Sequence, residues 1–233
     1  MRTIVILALA VSALMVSCQK EAGKGGENNL ETLHKTVYAN SKKYKDITAG
    51  AVSIQYLIAL DSVKYASYKD SLLSLYFNAG AYDMSALLAN DLIKVHPKDT
   101  SVMRMLAVSN EAMGLFDEAL KGQRALFEAT KKPEHLYQVM TLLYKQEKDK
   151  EAREVLEQLK TTPGIKEATT VVNYRQGESQ IVPLEAAMYN VAGALDYQEG
   201  KRKEALANFK KALEIMPEFY QAQMGVQALS QGQ

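Results

Sequence analysis

The sequence predicts an all-α chain, a solenoid of repeated helix pairs closed by a terminal helix, with one small β-hairpin inserted between two pairs. Three observations carry that expectation. Small and aromatic residues recur at a step of about 34 residues over most of the chain. The 5 Pro residues (Pro97, Pro133, Pro163, Pro183 and Pro217) all fall where one element would end and another begin. None interrupts an apolar stripe, as expected of a residue that lacks an N–H and clashes inside a helix. One stretch departs from helical periodicity, the β-branched run TTVVNY at 169–174, whose residues favour strands.

Composition bounds the function. A chain of 233 residues, 47% apolar, holds one large domain or two small ones. Lys and Arg number 28 against 27 Asp and Glu, so no bulk charge recruits nucleic acid or anionic lipid, and no nucleic-acid partner is expected. The single Cys excludes an internal disulfide, and there are 13 Tyr but no Trp.

The first element is MRTIVILALAVSALMVSC at 1–18. Arg2 supplies a short positive start, and the run from Ile4 to Val16 is almost wholly apolar. Its length suits a signal peptide and falls short of the roughly 20 residues of a spanning helix. The only Cys follows Leu14, Met15, Val16 and Ser17. This resembles the lipobox of bacterial lipoproteins, in which a small residue precedes the Cys and an apolar residue stands three before it. The resemblance implies a signal peptide over 1–17, cleavage before Cys18, a thioether from Cys18 to diacylglycerol, and acylation, for example by palmitate, of the new amino terminus. Two or three chains, at about 0.8 kcal/mol per buried methylene, anchor a protein stably. Cleavage would remove Arg2 and no other charged side chain, leaving equal numbers of acidic and basic groups.

Residues 18–29 then form the lipidated Cys and its tether. QKEAGKGGENN at 19–29 is polar, contains Gly and lacks large apolar residues, so it reads as a flexible leash. Gly23, Gly25 and Gly26 do not make a phosphate loop, because no strand precedes them and no Lys-Ser or Lys-Thr helix start follows.

Residues 30–230 read as one repeat domain. Its first pair has an apolar stripe of Leu30, Leu33 and Val37 in the first helix, with Ala39 and Ala51 in the close-packing slots. The second starts near Ala66 and ends at Pro97, with Leu72, Leu73 and Tyr76, a turn at Gly80, and Ala89 in its second helix. The third starts near Thr100, with Ala107 and the run GLFDEAL at 114–120. The fourth starts near Pro133, with Tyr144, Ala152, Leu156 and Leu159, one residue out of register. An insert over about 165–183 follows, in which Gly177 turns one strand into the next and Pro183 starts the following helix. Two strands alone are marginal in water, so the hairpin is expected to lie as a flap against helices, or else to offer its edge to a partner strand. The last pair is the clearest: Ala186, Tyr189, Ala192, Gly193, a turn at Gly200, then Ala205, Phe209, Ala212 and Pro217. Gly193 and Ala205 would let its two helices approach closely, while Phe209 and Tyr189 fill the gap to the neighbour. FYQAQMGVQAL at 219–229 reads as the cap that covers the open end.

The spacing of Gly193, Ala205, Phe209 and Pro217 resembles the tetratricopeptide family, and the resemblance covers most of 32–230. It implies a right-handed solenoid whose concave wall is lined by the first helix of each pair. Mapped here, that wall comprises Asp70, Ser74, Phe77 and Asn78, then Arg104, Val108 and Glu111. Tyr137, Thr141, Tyr144 and Lys145 follow, then Asn190, Ala194, Tyr197 and Gln198. The candidate ligand-binding residues are Phe77, Asn78, Arg104, Tyr137, Tyr144, Asn190 and Tyr197. Rings and amides with few charges suit a peptide or an amphipathic helix. The carboxylate clamp of some tetratricopeptide co-chaperones is not matched, since Arg104 and Asn78 alone do not supply its Lys and Asn pairs.

No catalytic set emerges. His34, His96 and His135 share no metal-ligand spacing, and no Gly-x-Ser-x-Gly elbow occurs, so neither an enzyme nor a metal or other cofactor is expected. Anchor, leash and solenoid together suggest a scaffold or adaptor in the bacterial cell envelope, lipid-anchored in the outer membrane and facing the periplasm, with an unidentified protein partner. The alternatives are a surface carbohydrate-capture lipoprotein, disfavoured by the absence of Trp, an accessory lipoprotein of outer-membrane assembly or transport, and a hydrolase using Glu178 or Arg175 of the hairpin.

Overall fold

A computed structural model describes residues 29–175 and 177–231. The signal segment 1–17, Cys18 and the tether to residue 28 lie outside the described residues. Among the described residues there are 11 helices and one two-stranded antiparallel sheet. The expected all-α class, consecutive helix pairs with one small hairpin, is the one adopted. The pairs are α1 (29–44) with α2 (Ile47–Leu60), α3 (Tyr68–Asn78) with α4 (Tyr82–Val95), α5 (Thr100–Ala112) with α6 (Phe116–Thr130), and α7 (Pro133–Lys145) with α8 (Asp149–Lys160). Strands β1 (Thr169–Arg175) and β2 (Glu178–Pro183) come next, then α9 (Leu184–Gln198) with α10 (Arg202–Ile215), and finally α11 (Tyr220–Gln231). The chain packs as two compact units divided between Leu88 and Ala89.

The same backbone device closes all five pairs. A left-handed residue ends each first helix: Lys45, Gly80, Gly114, Glu147 and Gly200, with φ between 56° and 76°. The next residue's N–H bonds back to a carbonyl five residues earlier, as in Asp46 to Ser41 (2.9 Å), Ala81 to Tyr76 (3.0 Å), Leu115 to Asn110 (2.8 Å), Lys148 to Leu143 (3.0 Å) and Lys201 to Asp196 (2.8 Å). This is the Schellman closure, which satisfies carbonyls that the helix end would leave bare. Helix starts are equally local. The Asp99 carboxylate accepts from the N–H groups of Ser101 (2.9 Å) and Val102 (3.2 Å), Asp46 accepts from Ala49 (3.0 Å), and Pro133 opens α7 where its missing N–H costs nothing.

In the last pair the expected close approach occurs. A Cβ on Gly193 would stand 2.8 Å from the Phe209 ring and 3.1 Å from the Ala205 carbonyl oxygen. Phe209 reaches onward to α11, where a Cβ on Gly225 would meet it at 2.7 Å. Tyr189 is half-buried, with the Lys211 ammonium 5.3 Å from its ring centre. The first pair differs from expectation. Ala39 is exposed and Ala51 half-buried; the helices meet instead at Ser41 and Gly50, where an added Cβ would lie 2.7 Å from the Ser41 hydroxyl. Leu30 and Leu33, expected to face inward, are 44% and 53% exposed. α1 turns Tyr38 and Ser41 inward; at about 100° per residue Leu33 falls well off that face, whereas Leu30 shares the side of Ser41 but stands in the first turn of the helix.

In the first unit a small core of Tyr38, Ile54 and Leu72 is bordered by Tyr68 and Tyr76. In the second, one cluster runs from Leu136 and Met140 of α7, through Leu156 and Leu159 of α8 and Leu195 of α9, to Phe219 and Ala222 at the last helix. The hairpin belongs to this core. Val172 and Val182 are buried, whereas Val171 and Ile181, paired across the strands, are 62% and 72% exposed. The two-residue alternation of a half-buried sheet is thus obeyed. Gln180 fixes the hairpin to the last helix: its amide donates to the Glu218 carbonyl (2.8 Å) and accepts from the N–H of Tyr220 (3.0 Å). Tyr174 packs on Tyr220 with ring centres 4.8 Å apart. The expected flap is therefore a packed part of the second unit.

Candidate binding cleft

Within the second unit, first helices of successive pairs touch, α7 against α9 and α9 against α11. Their exposed stripes and the hairpin bound a cleft of about 590 Å³. From α7 come Tyr137, Gln138, Thr141, Tyr144 and Lys145, residues one and two helical turns apart that share a face. From α9 come Asn190, Val191 and Ala194, on the same spacing. Glu111 of α5 and Gln221 of α11 close two sides, and Val171, Val172 and Asn173 of β1 form the remaining wall.

The charges in this cleft neutralise one another. Lys145 Nζ lies 2.6 Å from Glu111 Oε1, one repeat length away in sequence. The hydroxyl of Tyr137, 6% exposed, is pushed above its ordinary value by burial. That of Tyr144 is raised by burial and then by the Asp149 carboxylate. Both rings therefore stay neutral across physiological pH and act as apolar walls with hydrogen-bonding tips.

A line of amides crosses the floor. Asn190, 8% exposed, donates from Nδ2 to Gln221 Oε1 (3.1 Å), and Gln221 Nε2 donates to the Asn173 carbonyl (2.8 Å). Asn190 Oδ1 is buried without a partner, a costly state for an amide oxygen. The cleft can thus bind a neutral chain through hydrogen bonds and ring contacts. Among the described residues, no group of three or more His, Cys, Asp or Glu is placed to hold a metal ion.

The structure brings together Tyr137, Tyr144 and Asn190 of the sequence candidates, along with Glu111, Thr141, Lys145 and Ala194 of the mapped wall. Arg104 is exposed and Tyr197 is 49% exposed, and neither borders the cleft. Phe77 and Asn78 belong to the first unit, where Phe77 packs edge-on to Tyr82 at 6.1 Å and Asn78 is exposed. Arg175 lies over the Tyr220 ring at 4.8 Å and donates to its hydroxyl (2.8 and 3.3 Å). Sequence reasoning missed Gln138, Val191, Gln221 and the three β1 residues. The first two adjoin mapped positions on their helices; the others sit on the insert and the cap, whose docking no repeat pattern specifies.

No family model matches the sequence, and no curated protein matches it either. Solved structures do resemble it in fold. A crystal structure of MamA protein aligns with a TM-score of 0.60 at 14% identity, covering 82% of this chain and 94% of that one. YrrB, described as a tetratricopeptide protein with an unusual peptide-binding site, also gives 0.60 at 14% identity, covering 88% and 95%. A MamA fragment from Desulfovibrio magneticus gives 0.59 at 10% identity, covering 82% and 97%. The likeness is one of fold, the helix pairs of tetratricopeptide proteins.

Proposed function

We propose that this protein is an adaptor of the bacterial cell envelope, anchored through lipid on Cys18 at the outer membrane and facing the periplasm, whose second unit binds a segment of another protein. The observation that carries the binding role is the cleft itself. Rings, amides and a self-neutralised ion pair are arranged along successive first helices. YrrB, of like fold, is described as having a peptide-binding site. The anchor rests on the sequence around Cys18, and no described helix is long and apolar enough to cross a membrane.

One experiment addresses both halves. Tagged wild type, Cys18→Ser and Tyr144→Ala are expressed in a bacterial host, envelopes are fractionated, and the detergent-solubilised protein is used for affinity capture. Cys18→Ser should leave the membrane fraction and lose incorporation of labelled palmitate. Tyr144→Ala should stay in the membrane and lose a partner that the wild type retains. Retention of Cys18→Ser at high salt would overturn the anchor, and identical partners for wild type and Tyr144→Ala would overturn the cleft.

A further inference from the structure

The hairpin presents the cleft with more than side chains. Val171, Val172 and Asn173 are consecutive in β1, and all three border the cleft. Side chains alternate across a strand, so three neighbours face one space only if the edge of the strand, with its backbone groups, faces it too.

The hydrogen-bond register identifies that edge. Leu184 N–H donates to the Ala168 carbonyl at 2.9 Å, one step beyond the Thr169–Pro183 pair. Bonded and non-bonded pairs alternate along an antiparallel ladder. Thr170–Val182 and Val172–Gln180 are therefore the bonded pairs, and Thr169–Pro183 is not, which suits a proline without an N–H. It follows that Thr169, Val171 and Asn173 direct their N–H and C=O groups away from β2. The bond from Gln221 Nε2 to the Asn173 carbonyl agrees, because it reaches β1 from the side of the cleft. Among the described residues β1 has β2 as its only strand neighbour, and this amide is the only group bonded to its other edge.

We propose that the open edge of β1 receives an extended, uncharged segment of the partner protein as a third strand, lying along the cleft. The inference rests on the peptide-binding reading of the cleft and gives the bound segment its conformation. An extended chain repeats its outward amides every second residue, about 6.8 Å apart, which matches the step from Val171 to Asn173 along the cleft, the Asn173 carbonyl being shared with Gln221. A helical ligand satisfies its own backbone and offers no such row. Because Glu111 and Lys145 pair with each other, the cleft has no free charge for a charged segment to meet. Pairing to an open sheet edge supplies affinity through the main chain and selectivity through alternate side chains.

The test uses the full chain and peptides selected on it from a phage-displayed random library. Binding of a labelled synthetic copy is followed by fluorescence anisotropy. Val171→Pro deletes the outward N–H while leaving the bonded pairs with β2 untouched, and Val171→Ala trims the side chain but keeps the N–H. Circular dichroism checks that both are folded. Val171→Pro should weaken binding by about tenfold, the scale of one lost backbone bond in a shielded site, and Val171→Ala by less than about threefold. N-methylation of the peptide, which leaves the protein unaltered, should weaken binding at alternate residues only.

Unchanged binding by Val171→Pro and by the methylated peptides, with loss on Tyr144→Ala, would overturn the third strand and leave the cleft reading standing. Sensitivity to methylation every three or four residues would mean a helical ligand and would also overturn it. Recovery of no peptide, or of peptides indifferent to Tyr144→Ala, would overturn the cleft reading and the third strand with it.

Discussion

The two compact units use the same turn and solve the packing problem differently. In the first, tyrosines and surface cations join the buried Ile54, Leu57 and Leu73. Tyr38 and Tyr65 each lie 5.4 Å from Tyr68, and Lys42 stands 4.1 Å from the Tyr38 ring centre. Glu31 gathers Lys35 (2.6 Å), Lys64 (2.8 Å) and the Tyr65 hydroxyl. In the second, aliphatic side chains dominate, and the main ion cluster is partly buried. Arg153 reaches Asp196 (2.8 Å) and Glu199 (2.6 Å), while Asn208 donates to the other oxygen of Asp196 (2.7 Å). Apolar burial contributes per unit area removed from water, whereas half-exposed ion pairs contribute little. The second unit should therefore be the firmer, which suits the part that carries the cleft.

The sharpest way to break this comparison is to remove one core leucine from each unit. Leu195 is fully buried and Leu72 is 6% exposed. Leu195→Ala should cost about 4 kcal/mol and Leu72→Ala about 2–3 kcal/mol, since a large, tightly filled cluster collapses less around a cavity. Urea unfolding, with hydrogen exchange assigning the loss to helices, measures both. An equal or larger cost at Leu72 would reverse the ranking.

A smaller effect distinguishes the two close approaches. Replacing a helical Gly with Ala gains up to about 1 kcal/mol in propensity. At Gly193 the new Cβ meets the Phe209 ring and the Ala205 backbone oxygen, and overpacking costs about 1–3 kcal/mol. Gly193→Ala should therefore be net destabilising, by about 1 kcal/mol. At Gly50 the nearest atom is the Ser41 hydroxyl, with the tip of Leu75 at 3.3 Å, and both can move. Gly50→Ala should be neutral or slightly stabilising. Opposite signs in parallel urea titrations sharpen the comparison, and a shared sign erases it.

Where packing is tight, the sequence is legible. Gly193, Ala205 and Phe209 could be read directly, because two small residues and a ring stand there at the spacing of a close helix approach. In the first pair Ser41 and Gly50 do the same work, yet a serine there has no signature, and the apolar Leu33 lies off the buried face. The turns carry the same lesson. Lys45 and Glu147 hold the left-handed conformation that Gly80, Gly114 and Gly200 hold, so the geometry repeats where the residue type does not. A Gly-based search therefore sees the fourth pair as out of register although its closing bond, Lys148 to Leu143, is in place. In the cleft, most of the α7 and α9 residues followed from the resemblance to tetratricopeptide repeats, with Gln138 and Val191 beside them unread. Gln221 and the β1 edge did not, because tertiary docking of an insert and a cap places them.

The smallest expected effect is the acid response, and it too separates the units. Glu31 is held at about 2 by hydrogen bonds from Lys35, then Lys64 and Tyr65, and Glu199 at about 2 by Arg153, then Lys201. Both carboxyls are depressed below their ordinary value, so each contribution is complete above about pH 4.5 and is lost as pH falls from there towards 2. Their surroundings differ. Lys35 and Lys64 are 45% and 51% exposed; Lys201 is 52% exposed too, but Arg153, the first partner of Glu199, is 29% exposed and shared with Asp196 at 7%. At about 0.5 M salt, where screening acts over roughly 4 Å, the acid-induced loss of exchange protection should fade in α1 and persist in α9 and α10. Glu31→Gln should flatten the response in α1 alone, and Glu199→Gln that in α9 and α10 alone. Equal salt sensitivity at both places would mean that Arg153 is as well solvated as the lysines, and that its cluster adds no more to the second unit than surface pairs add to the first.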